Sequence, residues 1–213
     1  MGLSKTKVEG TLYIVSAPSG AGKSSLISAI LKNDLMNTIK LSISYTTRNM
    51  RPNEQNGIHY YFINRKSFED LIIQNEFLEH VELFGNYYGT SRNWMLENVN
   101  NGSDVILDID WQGARQIRKE IPFSKSVFIL PTSYCQLEYR LNSRAQDSKS
   151  DIARRVAEAE SEISHYNEYD YIILNDDFDT ALVDFQAIIR SERLKKDKQI
   201  YKYHDLIQGL LEK

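Results

Sequence analysis

The chain lacks the features that assign a protein to a membrane or to a secretory compartment. Of its 213 residues only Cys135 is a cysteine, which excludes a disulfide framework and a cysteine zinc site. No run is long and apolar enough to span a bilayer, and no signal-peptide core is present. A net charge of −3 gives no global basic field for nucleic acid or lipid binding. We therefore expect a cytoplasmic protein, and a hydrophobic content of 41% is enough for a folded core.

Glycine is scarce, at 10 residues, yet two glycines fall in one short loop. Gly20 and Gly22 follow an apolar run over 11–16, and Lys23 and Ser24 come directly after them. Glycines in such a loop let successive backbone N–H groups face an anion, and the lysine supplies a cation for terminal phosphates. The serine hydroxyl suits Mg²⁺, and a following helix adds the positive end of its dipole. The segment is typical of a phosphate-binding loop in a protein that uses ATP or GTP.

Ala17 is the one departure from the usual loop pattern, Gly-x-x-x-x-Gly-Lys-Ser/Thr, in which the first position is glycine. Alanine is tolerated there unless the backbone requires a positive φ. The alternative interpretation is a glycine-containing turn before an ordinary helix. The apolar strand before the loop and the amphipathic helix after it favour the phosphate loop.

Short apolar segments alternate with helical patterns along much of the chain. The expected strands are 11–16, 104–109, 126–130 and 171–174, and the expected helices are 24–32, 151–166 and 179–195. Such alternation indicates parallel βαβ units. We therefore predict an α/β protein with a parallel central sheet flanked by helices.

Two segments break this alternation. Residues 41–90 hold short β-like pieces at 60–63 and 77–84 and a helix at 65–74, and we interpret them as an inserted subdomain. A second, polar insert covers 142–150. The charged C-terminus has apolar residues at helical spacing, which predicts a helix that packs on its own domain or contacts another subunit.

Asp108 and Asp110 stand at the end of the predicted strand 104–109, at positions i and i+2. Carboxylates at this spacing share one face of a strand. At the carboxyl end of a parallel strand they face the same crevice as the phosphate loop. An aspartate in that position is the usual partner of such a loop and holds Mg²⁺ directly or through water. The alternative, open for one of the two, is that the aspartate caps the helix that starts near Gly113.

Arginines form two sets, one in each insert. Arg48 and Arg51 lie in the first, whereas Arg144 lies in the second and Arg155 just after it. Guanidinium groups bind phosphate through two hydrogen bonds, and phosphoryl transfer between nucleotides needs cations on both sides of the transferred group. A solvated surface role is the alternative for each arginine alone, but two sets that flank a phosphate loop favour a shared role.

Three further residues of the first insert are candidates for ligand contacts. Tyr60 and Tyr88 have phenolic hydroxyls for a phosphate, although interior aromatics with a solvated tip fit equally well. Glu79 alternates with apolar neighbours on a probable strand, where its carboxylate accepts from two adjacent N–H donors, as on a guanine edge, or faces solvent.

Taken together and in this order, the motifs resemble those of the guanylate kinase family. The resemblance covers roughly residues 10–195. It rests on the phosphate loop 16–25, Ser44-Tyr45-Thr46-Thr47-Arg48 with Arg51-Pro52, Phe77-Leu78-Glu79, Phe84-Gly85-Asn86-Tyr87-Tyr88-Gly89-Thr90, Leu107-Asp108-Ile109-Asp110 and Asn175-Asp176-Asp177.

The resemblance implies a role for each matching residue. The ATP-binding residues would be Ala17, Pro18, Ser19, Gly20, Ala21, Gly22, Lys23, Ser24, Ser25 and, near the adenine or the lid hinge, Asn175. The substrate-binding residues would be Ser44, Arg48, Arg51, Tyr60, Glu79, Tyr88, Thr90, Asp108 and Asp110. Ser24, with Asp108 through water, would hold Mg²⁺. The catalytic cations would be Lys23, Arg48, Arg144 and Arg155.

The same resemblance implies the fold of P-loop nucleoside-monophosphate kinases and the phosphorylation of GMP by ATP. The core would comprise 10–42, 92–132 and 157–195, the GMP-binding subdomain 43–91, the lid 133–156 and a C-terminal helix 196–213. The expected partners are ATP and GMP, with no nucleic acid and no membrane, and a homo-oligomer through the C-terminal helix stays open. Two other functions are alternatives: a non-catalytic protein-binding module of this fold, and a kinase of phosphorylated sugars.

The lid departs from the family pattern. Family members usually carry Arg-Gly-Arg-Gly there, whereas this chain has Asn142-Ser143-Arg144-Ala145. One arginine is retained and both glycines are absent, which narrows the backbone freedom of the lid.

Overall fold

A computed structural model describes residues 10–83, 85–143 and 149–212. Its strands are β1 (Leu12–Ser16), β2 (Ile39–Leu41), β3 (Tyr45–Thr46), β4 (Tyr61–Phe62), β5 (Phe77–Leu83), β6 (Asn86–Ser91), β7 (Asp104–Asp108), β8 (Lys125–Leu130) and β9 (Tyr171–Leu174). Its helices are α1 (Lys23–Asn33), α2 (Arg65–Ile73), α3 (Arg92–Asn100), α4 (Trp111–Glu120), α5 (Tyr134–Ser143), α6 (Lys149–Ile163), α7 (Phe178–Arg193), α8 (Lys196–Lys202) and α9 (His204–Leu211). A 3-10 turn covers Tyr166–Glu168.

The central sheet is parallel and has the strand order β2-β7-β1-β8-β9. β1 lies in the middle, and Val15 at its carboxyl end pairs in register with Asp108 of β7. The register therefore brings the loop after β1 next to the end of β7. The α/β class and the four predicted core strands are confirmed, with ends that shift by at most one residue.

The core lies on both faces of this sheet, because successive residues of a strand point to opposite sides. Tyr13 and Val15 pack into the layer that includes α1 and α7, whereas Leu12 and Ile14 pack into the layer that includes α3 and α4. All four side chains are at most 2% exposed. Burial of each contributes about 1.5–3 kcal/mol, which fixes β1 and hence the loop that follows it.

The inserted segment forms a second sheet with the order β4-β3-β6-β5. β5 and β6 are an antiparallel pair in which Glu79 lies opposite Thr90. The predicted helix of this insert is α2, and Asn64 caps it, because the Asn64 side chain accepts a hydrogen bond from the Ser67 N–H. Gln116 of α4 exchanges hydrogen bonds with the backbone of His80, which joins the second sheet to the central one.

The C-terminal segment differs from the single helix expected over 196–213. It forms the two short helices α8 and α9, because Tyr203 between them leaves helical geometry with φ −111° and ψ 22°. Lys198 donates a hydrogen bond to Thr11 and so ties α8 to the start of β1. Within the described ranges, none of the helices combines the length and the apolar character that a membrane crossing needs.

Candidate active site

A cleft of about 290 Å³ lies where the loop after β1, the end of β7 and the second sheet meet. The structure brings these predicted residues to its walls: Ala17, Pro18, Ser19, Gly20, Gly22, Lys23, Ser24, Ser44, Arg48, Arg51, Tyr60, Glu79, Tyr88, Asp108, Asp110 and Arg155. Residues that are far apart in the sequence therefore line one cavity, with the phosphate loop on one side and the second sheet on the other.

Two glycines of the loop occupy backbone conformations that other residues avoid. Gly20 has φ 89° and Gly22 has φ 96°, both in the left-handed region. Ala17 is absent from the described residues with positive φ, so its Cβ carries no backbone penalty. The alanine at the first loop position is thus compatible with the loop geometry.

Asn175 lies behind the loop and supports it. Its side chain is 2% exposed and donates a hydrogen bond of 2.6 Å to the Ala21 carbonyl. A Cβ on Gly22 would come within 2.2 Å of the Asn175 amide nitrogen, so this glycine also provides space. Arg140 of α5 donates to the carbonyls of both Ala21 and Asn175. The hydrogen bond of the Asn175 side chain to the loop backbone makes this residue a structural support of the loop.

Lys23, the first residue of α1, reaches the end of β7. Its Nζ atom lies 2.7 Å from Oδ1 of Asp108 and donates to the Ile109 carbonyl at 3.2 Å. Burial works against the charge of this ammonium group, but the neighbouring Asp108 carboxylate raises the pKa of Lys23 above its ordinary value. Lys23 is therefore a fixed positive charge at the centre of the cleft.

Asp110 has the capping role that the sequence left open for one of the two aspartates. Its side chain accepts a hydrogen bond of 2.9 Å from the Gly113 N–H and so caps α4. Burial raises the pKa of Asp110. Asp110 still lines the cleft, so its carboxylate serves the helix and faces the cavity at the same time.

Glu79 carries an unusual buried carboxylate at the far side of the cleft. The residue is 3% exposed, and its Oε1 accepts a hydrogen bond of 2.6 Å from the hydroxyl of Thr90, which is fully buried. Burial raises the pKa of Glu79 to about 7, against the effect of the Thr90 hydrogen bond and with a contribution from Asp110. The structure therefore puts the Glu79 carboxyl in the cavity wall and not on a solvent-exposed strand face.

Arginines and tyrosines border the space between these two sides. Arg48 forms an ion pair of 2.7 Å with Glu54, whose other oxygen accepts from the Arg51 N–H at 2.7 Å. The Arg48 guanidinium also lies 5.5 Å from the centre of the Tyr60 ring. Burial raises the pKa of Tyr60 to about 12, so its hydroxyl stays a donor at neutral pH. Glu54 was not predicted from the sequence, yet it orients the arginine segment.

Helix α6 forms another wall of the cleft. Arg155 lines the cavity, whereas Arg144 lies outside the described residues. Sequence reasoning missed Glu162, which accepts a hydrogen bond of 3.2 Å from the Ser19 N–H of the phosphate loop. Arg155, the buried Ala159 and Glu162 have the spacing i, i+4 and i+7 of one helix face, and that periodicity is the signal that could have found the glutamate.

Four predicted residues do not line the cavity: Ala21, Ser25, Thr90 and Asn175. Thr90 acts on the cleft through the hydrogen bond that its hydroxyl donates to Glu79. Ala21 contributes through its carbonyl, which accepts a hydrogen bond from the Asn175 side chain. Ser25 is an exposed residue in the first turn of α1. In the part of the chain that is described, no group of three or more His, Cys, Asp or Glu side chains could hold a metal ion.

The arrangement can bind two anionic ligands end to end. The loop amides and Lys23 suit a triphosphate, and the arginines and tyrosines suit a second phosphate. The buried carboxyl and hydroxyl of Glu79 and Thr90 suit a ligand with adjacent N–H donors. A cation lies on each side of the space between the two, as transfer of a charged group requires.

Comparisons with known proteins agree with this geometry. A family model described as guanylate kinase matches residues 9–192. A guanylate kinase of Vibrio vulnificus strain YJ016 is 64% identical over 203 residues, which are 95% of this chain and 98% of the relative. A guanylate kinase of Escherichia coli K12 is 55% identical over the same shares of both chains. The crystal structure of guanylate kinase from Anaplasma phagocytophilum superposes with a TM-score of 0.73 at 34% identity, covering 89% of each chain.

A match of this extent shows that the chain belongs to the guanylate kinase family and is a kinase with the P-loop nucleoside-monophosphate kinase fold.

Proposed function

We propose that the protein transfers the γ-phosphoryl group of ATP to the phosphate of GMP and releases ADP and GDP. One observation carries the proposal: a single cleft has the phosphate loop with Lys23 on one side and the buried Glu79–Thr90 pair on the other, with Arg48 and Arg51 between them. Family membership and the relatives at 55–64% identity support the same reaction.

The donor side would hold ATP through the loop amides and Lys23. The residues on this side also fit Mg²⁺, because Ser24 and Asp108 both line the cleft. They offer a hydroxyl and a carboxylate, which are the hard oxygen ligands that this ion prefers. Bound with ATP, the ion would neutralise charge on the phosphate oxygens. Asp108 is 31% exposed at its side chain, which leaves room for a water between the carboxylate and the ion.

The acceptor side would hold the GMP phosphate through Arg48, Arg51, Tyr60 and Tyr88. Arg48 is already oriented by Glu54, so little side-chain entropy is lost when the phosphate binds. An oxygen of the GMP phosphate would attack the γ-phosphorus in line, and the bond to the ADP oxygen would break. No side chain forms a covalent bond, and catalysis is positioning together with neutralisation of charge by Lys23, Arg48, Arg155 and Arg144.

Guanine would be read by Glu79, Thr90 and Ser44, with Asp110 close to the base or ribose. The N1–H and N2–H₂ groups of guanine are adjacent donors, which a carboxylate accepts. Adenine presents an unprotonated N1 at the same edge, so the buried carboxylate would lose its partners, and a buried group without a partner is costly. A protein-binding module without activity has no need for this set of cleft residues, and a sugar-phosphate kinase has no need for Glu79 and Thr90.

The test is a coupled assay of ADP release with Mg·ATP and each of GMP, AMP, CMP and UMP. We expect turnover that depends on GMP and is much slower with the other three. Absence of GMP-dependent turnover would refute the reaction, and equal rates with AMP would refute the role of Glu79.

Three wider expectations remain predictions from the sequence and the family. These are a part in purine nucleotide metabolism and GMP recycling, a cytoplasmic location, and a homo-oligomer through the C-terminal segment. We also propose the division of the chain into core, GMP-binding subdomain 43–91 and lid 133–156, in which β3 to β6 belong to the subdomain.

A further inference from the structure

Gly113 lies in the first turn of α4, and a side chain at this position would point at the Glu79 carboxyl group. A Cβ at this position would stand 2.7 Å from Oε2 and 3.1 Å from Cδ of Glu79, and 3.4 Å from Oδ1 of Asp110. The first of these distances is closer than real Cβ atoms approach a non-bonded atom. The carboxyl group therefore occupies the space that any other residue at 113 would fill.

The backbone gives no separate reason for a glycine here. Gly113 is not among the described glycines with positive φ, and it is helical, so alanine fits its dihedral angles. Glycine in a helix is destabilising relative to alanine, since it orders a more flexible backbone. The helix thus carries an unfavourable residue at a position next to the Glu79 carboxyl group.

Glu79 has little freedom to move away from a larger residue. It is 3% exposed, and its other oxygen is held by the Thr90 hydroxyl at 2.6 Å. A Cβ at 113 would require the carboxyl group to move by roughly a few tenths of an ångström to one ångström. Such a shift would lengthen the hydrogen bond from Thr90 to Glu79 or rotate the carboxylate plane. Either change misdirects the lone pairs that face the cleft.

We propose that Gly113 is a specificity-determining residue, which acts by leaving room for the Glu79 carboxylate to face the base of the acceptor nucleotide. The inference rests on the proposed function, in which Glu79 reads guanine. Gly113 contacts no substrate in this account and is a positioning residue that acts through Glu79.

The test compares Gly113→Ala with the wild-type protein in steady-state kinetics. We expect KM for GMP to rise roughly tenfold or more, the scale of a misdirected hydrogen bond to a charged group, while KM for ATP stays within about twofold. The ratio of kcat/KM for GMP over AMP should fall by a similar factor. Alanine favours the helix whereas the close contact opposes it, so the thermal midpoint should stay within a few degrees of that of the wild type. A purely structural role would lower stability and affect both substrates alike.

Gly209→Ala is the matched control, because Gly209 is also helical and a Cβ there meets nothing within 4 Å. It should leave all kinetic constants unchanged. If Gly113→Ala has the wild-type KM for GMP and the wild-type GMP over AMP ratio, the inference is wrong. If the wild-type protein itself shows no GMP-dependent turnover, the proposed function has failed instead, and the two outcomes are distinguishable.

A second background tests whether Gly113 acts through Glu79. In a Glu79→Ala protein the carboxyl group is gone, so adding Gly113→Ala should change KM for GMP by less than about twofold. If Gly113→Ala alone fails to fold, the double variant, which lacks the close contact, should fold. An equal loss on both backgrounds, or failure of both proteins to fold, would overturn the inference.

Discussion

The Nζ atom of Lys23 and the Oδ1 atom of Asp108 lie 2.7 Å apart and join the phosphate loop to the end of β7. The register of the central sheet explains the pair, because Val15 before the loop lies opposite Asp108 itself. The aspartate raises the pKa of the lysine despite its burial, so Lys23 stays charged over the whole working range of pH. A permanent cation in the cleft is what a developing negative charge on a phosphoryl group requires.

Replacement of Lys23 by methionine should therefore lower kcat by at least about 100-fold, the usual scale for loss of one preorganised donor to the transition state. Methionine keeps most of the side-chain volume, so the fold should persist. Lys32→Met is the control, since Lys32 is an exposed residue of the same helix. The measurement is the steady-state rate of ADP formation at saturating Mg·ATP and GMP, and a Lys23→Met protein with wild-type kcat would contradict the assigned role.

The raised pKa of Glu79, about 7, predicts a pH dependence of GMP use. Guanine offers N–H donors, which prefer the ionised carboxylate, so kcat/KM for GMP should rise with pH until Glu79 is fully ionised above about pH 8. The GMP phosphate also ionises, with a pKa of about 6, and gives a separate rise at lower pH.

Glu79→Gln separates the two ionisations. The variant should have a much lower kcat/KM for GMP, and its profile should keep the step near pH 6 and lose the step near pH 7. Rates measured from about pH 5.5 to pH 9 with saturating Mg·ATP give both profiles. A step near pH 7 that persists in Glu79→Gln would assign that titration to another group.

The sequence predicted the phosphate-loop side of the cleft better than the α6 side, and the reason is physical. The phosphate loop and Asp108 are local patterns at the ends of buried strands, and a parallel sheet brings such ends together whatever the rest of the chain does. Glu162 is one of several glutamates of α6, and its helical spacing from Arg155 is a weak signal. The packing of α6 on the loop shows that it contacts Ser19. Gly113 has no local signal either, because Glu79 reaches it only through a tertiary contact.

The role of Asp110 was left open by the local sequence and is assigned by the tertiary structure. The spacing of the aspartates allowed a ligand role or a helix cap, and the structure gives Asp110 the cap while keeping it on the cavity wall. The C-terminal segment shows the opposite case, since its apolar spacing predicted one helix and the backbone turns at Tyr203 to make two. Helix breaks without glycine or proline are set by packing, which periodicity does not report.

Burial of Glu79 should also make the folded state more stable at low pH. Its pKa rises from 4.5 to about 7 on folding, so the folded protein binds the proton more tightly than the unfolded chain. This contribution is fully present below pH 4.5 and is lost as pH rises through about 7. Between about pH 5 and pH 8 the loss is on the order of 2–3 kcal/mol in the free energy of unfolding.

Urea unfolding at about pH 5 and pH 8 tests this linkage. The wild-type protein should lose on the order of 2–3 kcal/mol more than Glu79→Gln between the two conditions. Glu160→Gln, in which an exposed carboxylate of α6 is neutralised, should behave like the wild type. Parallel losses in the wild type and in Glu79→Gln would show that Glu79 is ionised in both the folded and the unfolded state.

Glu162 places a negative charge beside the loop that we propose binds ATP. Its carboxylate accepts the Ser19 N–H at 3.2 Å, and burial raises the pKa of Glu162. Glutamine at this position keeps an oxygen acceptor for the N–H and removes the charge. The hydrogen bond from the Ser19 N–H contributes about 1 kcal/mol net, and glutamine can still accept it. The repulsion between the Glu162 charge and an anionic nucleotide in a partly buried cleft is about as large or larger, and glutamine removes it. Glu162→Gln should therefore bind Mg·ATP more tightly, by roughly threefold to tenfold in Kd.

Calorimetric titration of Mg·ATP without GMP at about pH 8 measures this change directly. The gain should shrink at high salt, because added ions screen the repulsion. Glu160→Gln removes the same charge from an exposed position of the same helix and should leave Kd within about twofold of the wild type. Glu162→Ala loses the acceptor as well as the charge and should bind less tightly than Glu162→Gln. Equal affinity in Glu162→Gln, Glu160→Gln and the wild type would mean that the charge of Glu162 does not act on the nucleotide.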